Sequence, residues 1–362
     1  MQDSREYYKG MQERGGISII ENRKEDHLKI SADAKTVSSV NYWDRVMLYH
    51  NCLPEMDLAD VELGCLFLGS KLDAPLMISG MTGGCEAAEK INANLASAAS
   101  RHGIAMGVGS QRAALEKPGL AKTYSVVKRY EVPFRVANIG IVQLSRIEPE
   151  AAVDMIWDCV SMIDAHACAV YLNFLQETIQ PDGEPFARNC LETLRYISKK
   201  SGVPIIAKET GAGIGIREAR FLGKAGVSAI DVGGVSGTSF AAIESRRAGI
   251  SGDGRMERLG DTFRDWGIPA PFSLLDAIDG TRGRVPVIAG GGLRNGLDCA
   301  RALSLGADIA GMARALLAPA TTSEKAVFNE LNHIKEELRT ACFLTGSRSV
   351  YDLSGACYGV LP

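Results

Sequence analysis

Eight short apolar runs, each followed by a longer stretch of helical pattern, constrain this chain more than any other feature. They are Pro75–Ser79, Ile104–Val108, Phe134–Asn138, Ala167–Asn173, Pro204–Lys208, Ala229–Gly233, Pro286–Ala289 and Asp308–Met312. Their apolar character is continuous rather than alternating, as expected of parallel strands buried on both faces. Between them, Glu150–Asp164 places Ala152, Val153, Ile156, Cys159, Val160 and Ile163 on one helical face, behind a Pro149 suited to a helix start. Glu86–Arg101 repeats the pattern with Ala88, Ile91, Leu95 and Ala98, and Asn295–Leu305 opens on Asn295 and Asp298, a cap-like pair. Eight strand-then-helix units predict a closed α/β barrel, the (β/α)8 TIM barrel, over an open doubly wound sheet. The glycines of Gly211-Ala212-Gly213-Ile214-Gly215 are too closely spaced for a dinucleotide turn and follow the fifth strand, not the first.

Two segments fall outside the repeat. Residues 1–73 form a charged N-terminal extension and a mixed stretch placed to cap the barrel bottom, within the same domain as the barrel at 74–362. Residues 237–284, rich in Gly, Arg and Asp, form a long insertion after strand six; connections of that length are usually functional or mobile. The net charge of −3 argues against a general nucleic-acid or membrane-surface binder, so any anion site must be a local concentration of positive groups. Nine cysteines with no C-x-x-C pair fit reduced thiols in a cytoplasmic protein. No signal-peptide core follows Met1, and no apolar run approaches the length of a membrane span.

Polar and glycine-rich clusters follow the strands, on the side where barrels build active sites. In order they are Met81-Thr82-Gly83-Gly84, Gly109-Ser110-Gln111-Arg112, Asn138-Ile139-Gly140, Asn173 to Glu177, Lys208-Glu209, Asp231 to Thr238, Gly290 to Gly296, and Gly311-Met312-Ala313-Arg314. One glycine after a strand is more often a tight turn than a ligand contact, but eight such clusters exceed what turns need. The last two match the barrel phosphate site: backbone N–H groups at Gly291-Gly292, a helix start behind them, and Arg314 beside them, with Thr238 offering a hydroxyl. Ordinary barrel closure, with Arg314 in a surface ion pair, is the competing account.

Lys208 ends a buried strand, where an ammonium needs a partner or a purpose. Glu209 points to the opposite face and is excluded as that partner. A lysine at the mouth suits the anionic edge of a reduced flavin, while a Schiff-base lysine would favour aldolase-like chemistry. Arg23, Lys24 and His27 read alone as a solvated charged face, but with Arg112, Asn173 and Gln176 they compose a diphosphate cradle. Glu177 is the acidic candidate for Mg2+, an ion that often takes one protein carboxylate plus water and phosphate oxygens. Glu244 is either a proton relay or an exposed helix carboxylate. The other histidines, at 50, 102, 166 and 333, have no chemical neighbours in sequence that point to catalysis.

Together, Arg23-Lys24 with His27, Met81-Thr82-Gly83-Gly84, Gly109-Ser110-Gln111-Arg112, Asn138-Ile139-Gly140 with Gln143-Leu144, Leu172-Asn173 with Gln176-Glu177, and Gly237-Thr238-Ser239 resemble the type 2 isopentenyl-diphosphate delta-isomerases, from about residue 22 to 318. The resemblance implies an FMN-dependent, redox-neutral isomerase of isoprenoid biosynthesis that interconverts isopentenyl and dimethylallyl diphosphate. It implies reduced FMN, Mg2+ and NADPH as reductant, and a homotetramer or larger assembly. It assigns FMN to Met81, Thr82, Gly83, Ser110, Asn138, Lys208, Thr238, Gly291, Gly292, Leu293, Ala313 and Arg314. The diphosphate falls to Arg23, Lys24, His27, Ser110, Gln111, Arg112, Asn173 and Gln176, the metal to Glu177, and catalytic roles beside the flavin to Gln176 and Glu244.

Two positions depart from the family pattern. Tyr171 stands where His is usual, keeping a hydrogen-bonding tip without a positive charge at neutral pH, and Gly233 replaces a small hydroxyl or alanine. Three other classes compete. A 2-hydroxy-acid oxidoreductase needs a histidine base after a late strand, and none is present; an inosine-monophosphate-dehydrogenase-like enzyme needs a cysteine after strand six, and none is there. A flavin-binding homologue without turnover is the third.

Overall fold

The computed structural model describes residues 24–360 except 25, 29 and 32. Arg23, one of the expected diphosphate ligands, lies outside the described residues. Eight parallel strands close into a barrel in sequence order: β1 (Leu76–Ile78), β2 (Ala105–Gly107), β3 (Arg135–Gly140), β4 (Ala167–Leu172), β5 (Ile205–Glu209), β6 (Ala229–Asp231), β7 (Val287–Ala289) and β8 (Ile309–Met312). The sequence expectation of a (β/α)8 barrel therefore holds, and all eight strands lie within one or two residues of the apolar runs.

The reason the runs are continuously apolar is visible in two separate clusters of buried residues. Inside the barrel, Met77, Ala105, Val136, Ala167, Ala169, Ile206, Ala229, Ile288 and Ile309 pack together. The alternate positions, among them Leu76, Ile78, Met106, Ile139, Val170, Ile205 and Ile230, face the helices. Successive side chains of a strand point to opposite faces, so a strand apolar at every position is buried by both. The interior cluster also takes Phe67 and Leu72 from an antiparallel hairpin, Cys65–Phe67 with Ser70–Leu72. Phe67 meets Phe134 edge-on with ring centroids 5.4 Å apart, at the end where the strands begin.

The helices start and stop where local chemistry directs. Glu86–His102 ends at Gly103 (φ 61°), whose N–H reaches back to Ala99 and Ser100 carbonyls. Pro149–Ile163 begins on its proline. Asn295 caps Gly296–Ser304 by accepting from the Asp298 N–H at 2.9 Å. A 22-residue helix, Glu324–Thr345, packs between the first helix and Gly296–Ser304 and closes the outer ring. Near the chain's end Cys357–Val360 pairs antiparallel with Val46–Leu48.

The insertion after β6 is not a long irregular loop. It folds as Phe240–Ser251, Gly254–Thr262 and Ala270–Thr281, the first two capped by the side chains of Ser239 and Asp253. Ala270–Thr281 packs on Ile216–Ala225 and on β7 as the barrel's own sixth helix, while Phe240–Ser251 packs against Phe174–Ile179 beside the mouth. Glycine and charge richness masked these helices, because their caps sit next to glycines that read as turns.

Phe67 is 2 % exposed, so Phe67→Ala opens a cavity in the barrel floor and should cost about 3–5 kcal/mol in denaturant unfolding. A loss below about 1 kcal/mol would show that the hairpin is not part of the cooperative core.

Candidate functional site

The parity that fills the lower barrel with small apolar side chains continues upward and delivers polar ones. Two positions beyond Val136, Ile206 and Ala229 come Asn138, Lys208 and Asp231, which line one central cavity with Gly80 and Gly107. Lys208 and Asp231 face each other in register across β5 and β6 and form an ion pair, buried on the Asp231 side. Strand parity rules out Glu209 as the partner of Lys208, and the partner is Asp231. The signal was available, since Asp231 has inward parity on the adjacent strand.

Several buried polar atoms in this layer lack a partner: Ser79 Oγ, Asn138 Oδ1 and Asp231 Oδ1. Asn138 is otherwise firmly held, its Nδ2 donating to Val108 O and its N–H to Gln111 Oε1, each at 2.9 Å. Buried polar groups are rarely left unpaired without a reason. A planar heterocycle with mixed donors and acceptors fits these atoms, and a cation fits its anionic form.

Glu209 points outward, as its parity requires, and accepts the N–H groups of Gly211, Ala212 and Gly213 through one oxygen. Burial pushes its carboxyl up to about 7 despite those bonds. Gly233 sits at φ 49°, and a Cβ there would overlap the Glu209 carbonyl oxygen, so the strand-six end requires glycine.

The glycine turn after β7 is built backbone against backbone. Gly291 (φ 90°) and Gly292 (φ 87°) are in the left-handed region, and a Cβ on either would collide with the Gly234 or Ser236 carbonyl. Arg314 is the first residue of a short extra helix, Arg314–Thr322, with its Nε bonded to Ser31 O at 3.0 Å. Residues 36–43 strap this region. Trp43 Nε1 donates to Gly291 O and Asn41 Nδ2 to Gly292 O, both at 2.7 Å, while Val37 bridges Thr238. The strap thus takes up the turn's carbonyls, and the helix Gly296–Ser304 starts directly behind it. Asn41 and fully buried Trp43 were not among the expected site residues; the sequence signal was a tryptophan set beside Asp44-Arg45.

A second polar cluster adjoins the first. His27 Nε2 lies 2.7 Å from Glu244 Oε1, which also accepts from Gln176 Nε2 at 3.1 Å; Arg247 donates to Glu244 Oε2 at 2.6 Å. Glu244 is 0 % exposed, which overturns the exposed-carboxylate account. Burial acts to raise its carboxyl, but the bond and charge of His27 and the charge of Arg247 outweigh it and hold it down to about 2. Asn173 Nδ2 bonds both Gln176 Oε1 and Glu177 Oε1 at 3.1 Å, and Ser110 Oγ shares a 2.9 Å hydrogen bond with the Tyr171 hydroxyl. Arg112 is buried and bonded to Glu116 and Glu184, and Lys24 lies beside Gly84. His27, Asn173, Gln176 and Glu177 are joined through these bonds, but the Gln111 amide is turned into the barrel wall, donating to Cys159 O at 2.8 Å and holding Asn138. Its role is to set Asn138, and its side chain does not face the cluster.

A parallel barrel with a glycine phosphate turn after β7, a helix start after β8 and an inward lysine is the architecture of the FMN-binding barrels. Residues 188–359 match the family model described as FMN-dependent dehydrogenase. The chain is similar to solved structures of a mandelate oxidase variant with benzaldehyde (TM-score 0.63, 16 % identity, covering 95 % of this chain and 96 % of that one). A flavocytochrome b2 variant with sulfite bound is also similar (TM-score 0.63, 16 % identity, 87 % and 76 %). At such identities the likeness concerns the fold. Relatives named isopentenyl-diphosphate delta-isomerase are far nearer in sequence: that of Methanothrix thermoacetophila is 47 % identical over 92 % of this chain and 91 % of its own. That of Thermoplasma volcanium is 46 % identical over 92 % and 95 %. The chain belongs to the isopentenyl-diphosphate delta-isomerase family, in its FMN-dependent type 2 form.

Two predictions test this layer. Lys208→Met strands the Asp231 carboxylate and should cost about 3–5 kcal/mol in thermal unfolding, most of it recovered in Lys208→Met/Asp231→Leu. A double variant as unstable as the single would refute the pairing. Glu209 is raised in the folded state, so its contribution to stability is full below about 4.5 and is lost as pH rises to about 7. Relative to Glu209→Gln, the wild type should lose roughly 3 kcal/mol across that window; parallel stability curves would show that Glu209 titrates normally.

Proposed function

We propose that this chain interconverts isopentenyl diphosphate and dimethylallyl diphosphate, with reduced FMN in the barrel mouth and Mg2+ on the diphosphate. The observation that carries this is the junction of two sites: a flavin-type layer of Asn138, Lys208 and Asp231 and, beside it, the cluster of His27, Arg112, Asn173, Gln176 and Glu244. The names of the near relatives support the same activity.

Asn138, Lys208, Thr238, Gly291, Gly292 and Arg314 hold FMN in this reading, with Met81, Thr82, Gly83, Ser110, Leu293 and Ala313 lining its place. When bound, reduced FMN supplies an electron-rich ring and a strong proton donor and acceptor beside an unactivated alkene. Every other task falls to the chain. Lys24, His27, Arg112 and Asn173 grip the diphosphate, with Arg23 expected to join them, so binding energy far from the double bond positions the hydrocarbon end. Glu177, buried and bonded by Asn173 and the Glu184 N–H, offers the ion one carboxylate, which suffices for Mg2+ that also takes phosphate and water oxygens. Gln176 takes the catalytic role beside the flavin in this reading, held by Asn173 and Glu244. Glu244, ionised at neutral pH, fixes Gln176 and His27 by accepting from both rather than by donating a proton. The apolar barrel wall keeps water from a carbocationic intermediate.

Tyr171 is tolerated because its hydroxyl is satisfied by Ser110 and adds no orphaned donor. NADPH as reductant and a homotetramer or larger assembly complete the reading, and nine free thiols favour a cytoplasmic setting. The match to the FMN-dependent dehydrogenase family favours a 2-hydroxy-acid oxidoreductase as the second reading, but no histidine lies between β5 and β8 to serve as its base, and His333 beyond β8 is exposed on the helix Glu324–Thr345.

The test is an anaerobic assay with isopentenyl diphosphate, FMN, Mg2+ and dithionite or NADPH. Dimethylallyl diphosphate should form only with reduced flavin and without net consumption of reductant. A folded, FMN-loaded protein that yields no product would overturn the isomerase reading.

A further inference from the structure

Arg112 follows β2, Arg146 follows β3, and Glu184 lies in the connection after β4, between Phe174–Ile179 and Cys190–Lys200. These three neighbouring strand ends meet through one carboxylate. Arg112 Nη1 donates to Glu184 Oε2 at 3.4 Å, and Arg146 Nη1 bonds the other oxygen, Oε1. The backbone N–H of Glu184 donates to Glu177 Oε2 at 2.8 Å. A single residue therefore sets an anion between two guanidiniums and covers one oxygen of the carboxylate assigned to the metal.

The site is sheltered, since the side chains of Arg112 and Glu184 are only 11 % and 17 % exposed. An ion pair in such surroundings is less screened than a surface pair, and a carboxylate shared by two arginines marks where an anion is most stable. Arg146 is also held over the Phe186 ring, 4.8 Å from its centroid, which orients its fork without using its N–H donors.

We propose that Arg146 is a further diphosphate-binding residue, forming with Arg112 a two-guanidinium clamp, and that Glu184 is the clamp's internal stand-in anion, displaced when the diphosphate arrives. This rests on the assignment of Arg112 to the substrate diphosphate. Displacement costs the Glu184 pairs and gains contacts to a ligand with more charge and more acceptor oxygens, each able to take bidentate arginine bonds. It also withdraws the Glu184 N–H from Glu177, so that anion and cation sites open in one movement. Removing the carboxylate leaves Arg112 bonded to Glu116 at 2.7 Å, and Arg146 is 36 % exposed, so neither change strands a buried charge.

The experiment titrates inorganic pyrophosphate with Mg2+ into the FMN-loaded full chain by calorimetry, for wild type, Glu184→Gln and Arg146→Met, with steady-state assays beside it. Arg146→Met should weaken pyrophosphate binding about tenfold and raise KM for isopentenyl diphosphate with little change in kcat. Glu184→Gln should tighten binding by roughly threefold or more and lower KM. Unchanged binding in Arg146→Met would overturn the clamp; weaker binding in Glu184→Gln would show that Glu184 supports the site instead of competing for it. As a further check, amide exchange in residues 181–189 should quicken when pyrophosphate binds, and slowing there would also overturn the displacement. A wild type that binds pyrophosphate through Arg146 but makes no dimethylallyl diphosphate would sink the isomerase reading and leave the clamp standing.

Discussion

The arrangement of the mouth depends on side-chain parity in eight strands of three to six residues each. Closure forces every strand residue to choose between the barrel interior and the helical ring, with no third environment available. The interior can accept only modest volume, and it holds Ala105, Ala167, Ala169 and Ala229 among larger residues. One layer higher the same parity presents Asn138, Lys208 and Asp231 to the axis. It sends Glu209 the other way, where its carboxylate gathers the N–H groups of the turn at 211–213. A one-residue slip in β5 would exchange the lysine and the glutamate and dismantle both arrangements.

The N-terminal segment is the second determinant. Residues 36–43 bond the carbonyls of Gly291, Gly292 and Gly237, so the glycine turn after β7 takes its shape from chain some 250 residues away. Further along the same arm His27 reaches Glu244, a buried carboxylate that also receives Gln176 and Arg247. A buried charge is tolerable only when surrounded by donors, and here those donors come from three elements at once. Glu244 thereby ties arm, β4 exit and β6 insertion into one polar unit.

Barrel and chemistry separate cleanly in this molecule. The oxidase structures share its barrel at 16 % identity, and the likeness ends with the fold. The groups assigned to a diphosphate lie on the segments after β2 and β4 and on the arm. Such connections can change while the strands keep their parity, because the barrel's stability comes from its walls and floor.

The sequence by itself determined the barrel, the strand positions and which strand ends carry polar residues. These follow from local rules, since continuous apolar runs, helix caps and glycine turns are decided within a few residues. It also marked the candidate ligands, because Asn138, Lys208, Arg112, Asn173 and Gln176 are polar at or just beyond a strand end. Tertiary structure alone decided the pairings: Lys208 with Asp231, His27 with Glu244, Trp43 with the Gly291 carbonyl, and Glu184 between two arginines. It also turned the Gln111 amide into the wall and buried Glu244. A charged residue carries no mark of its partner in its own neighbourhood. Partners distant in sequence are chosen by how strands register and where the arm crosses, and only the closed barrel sets both.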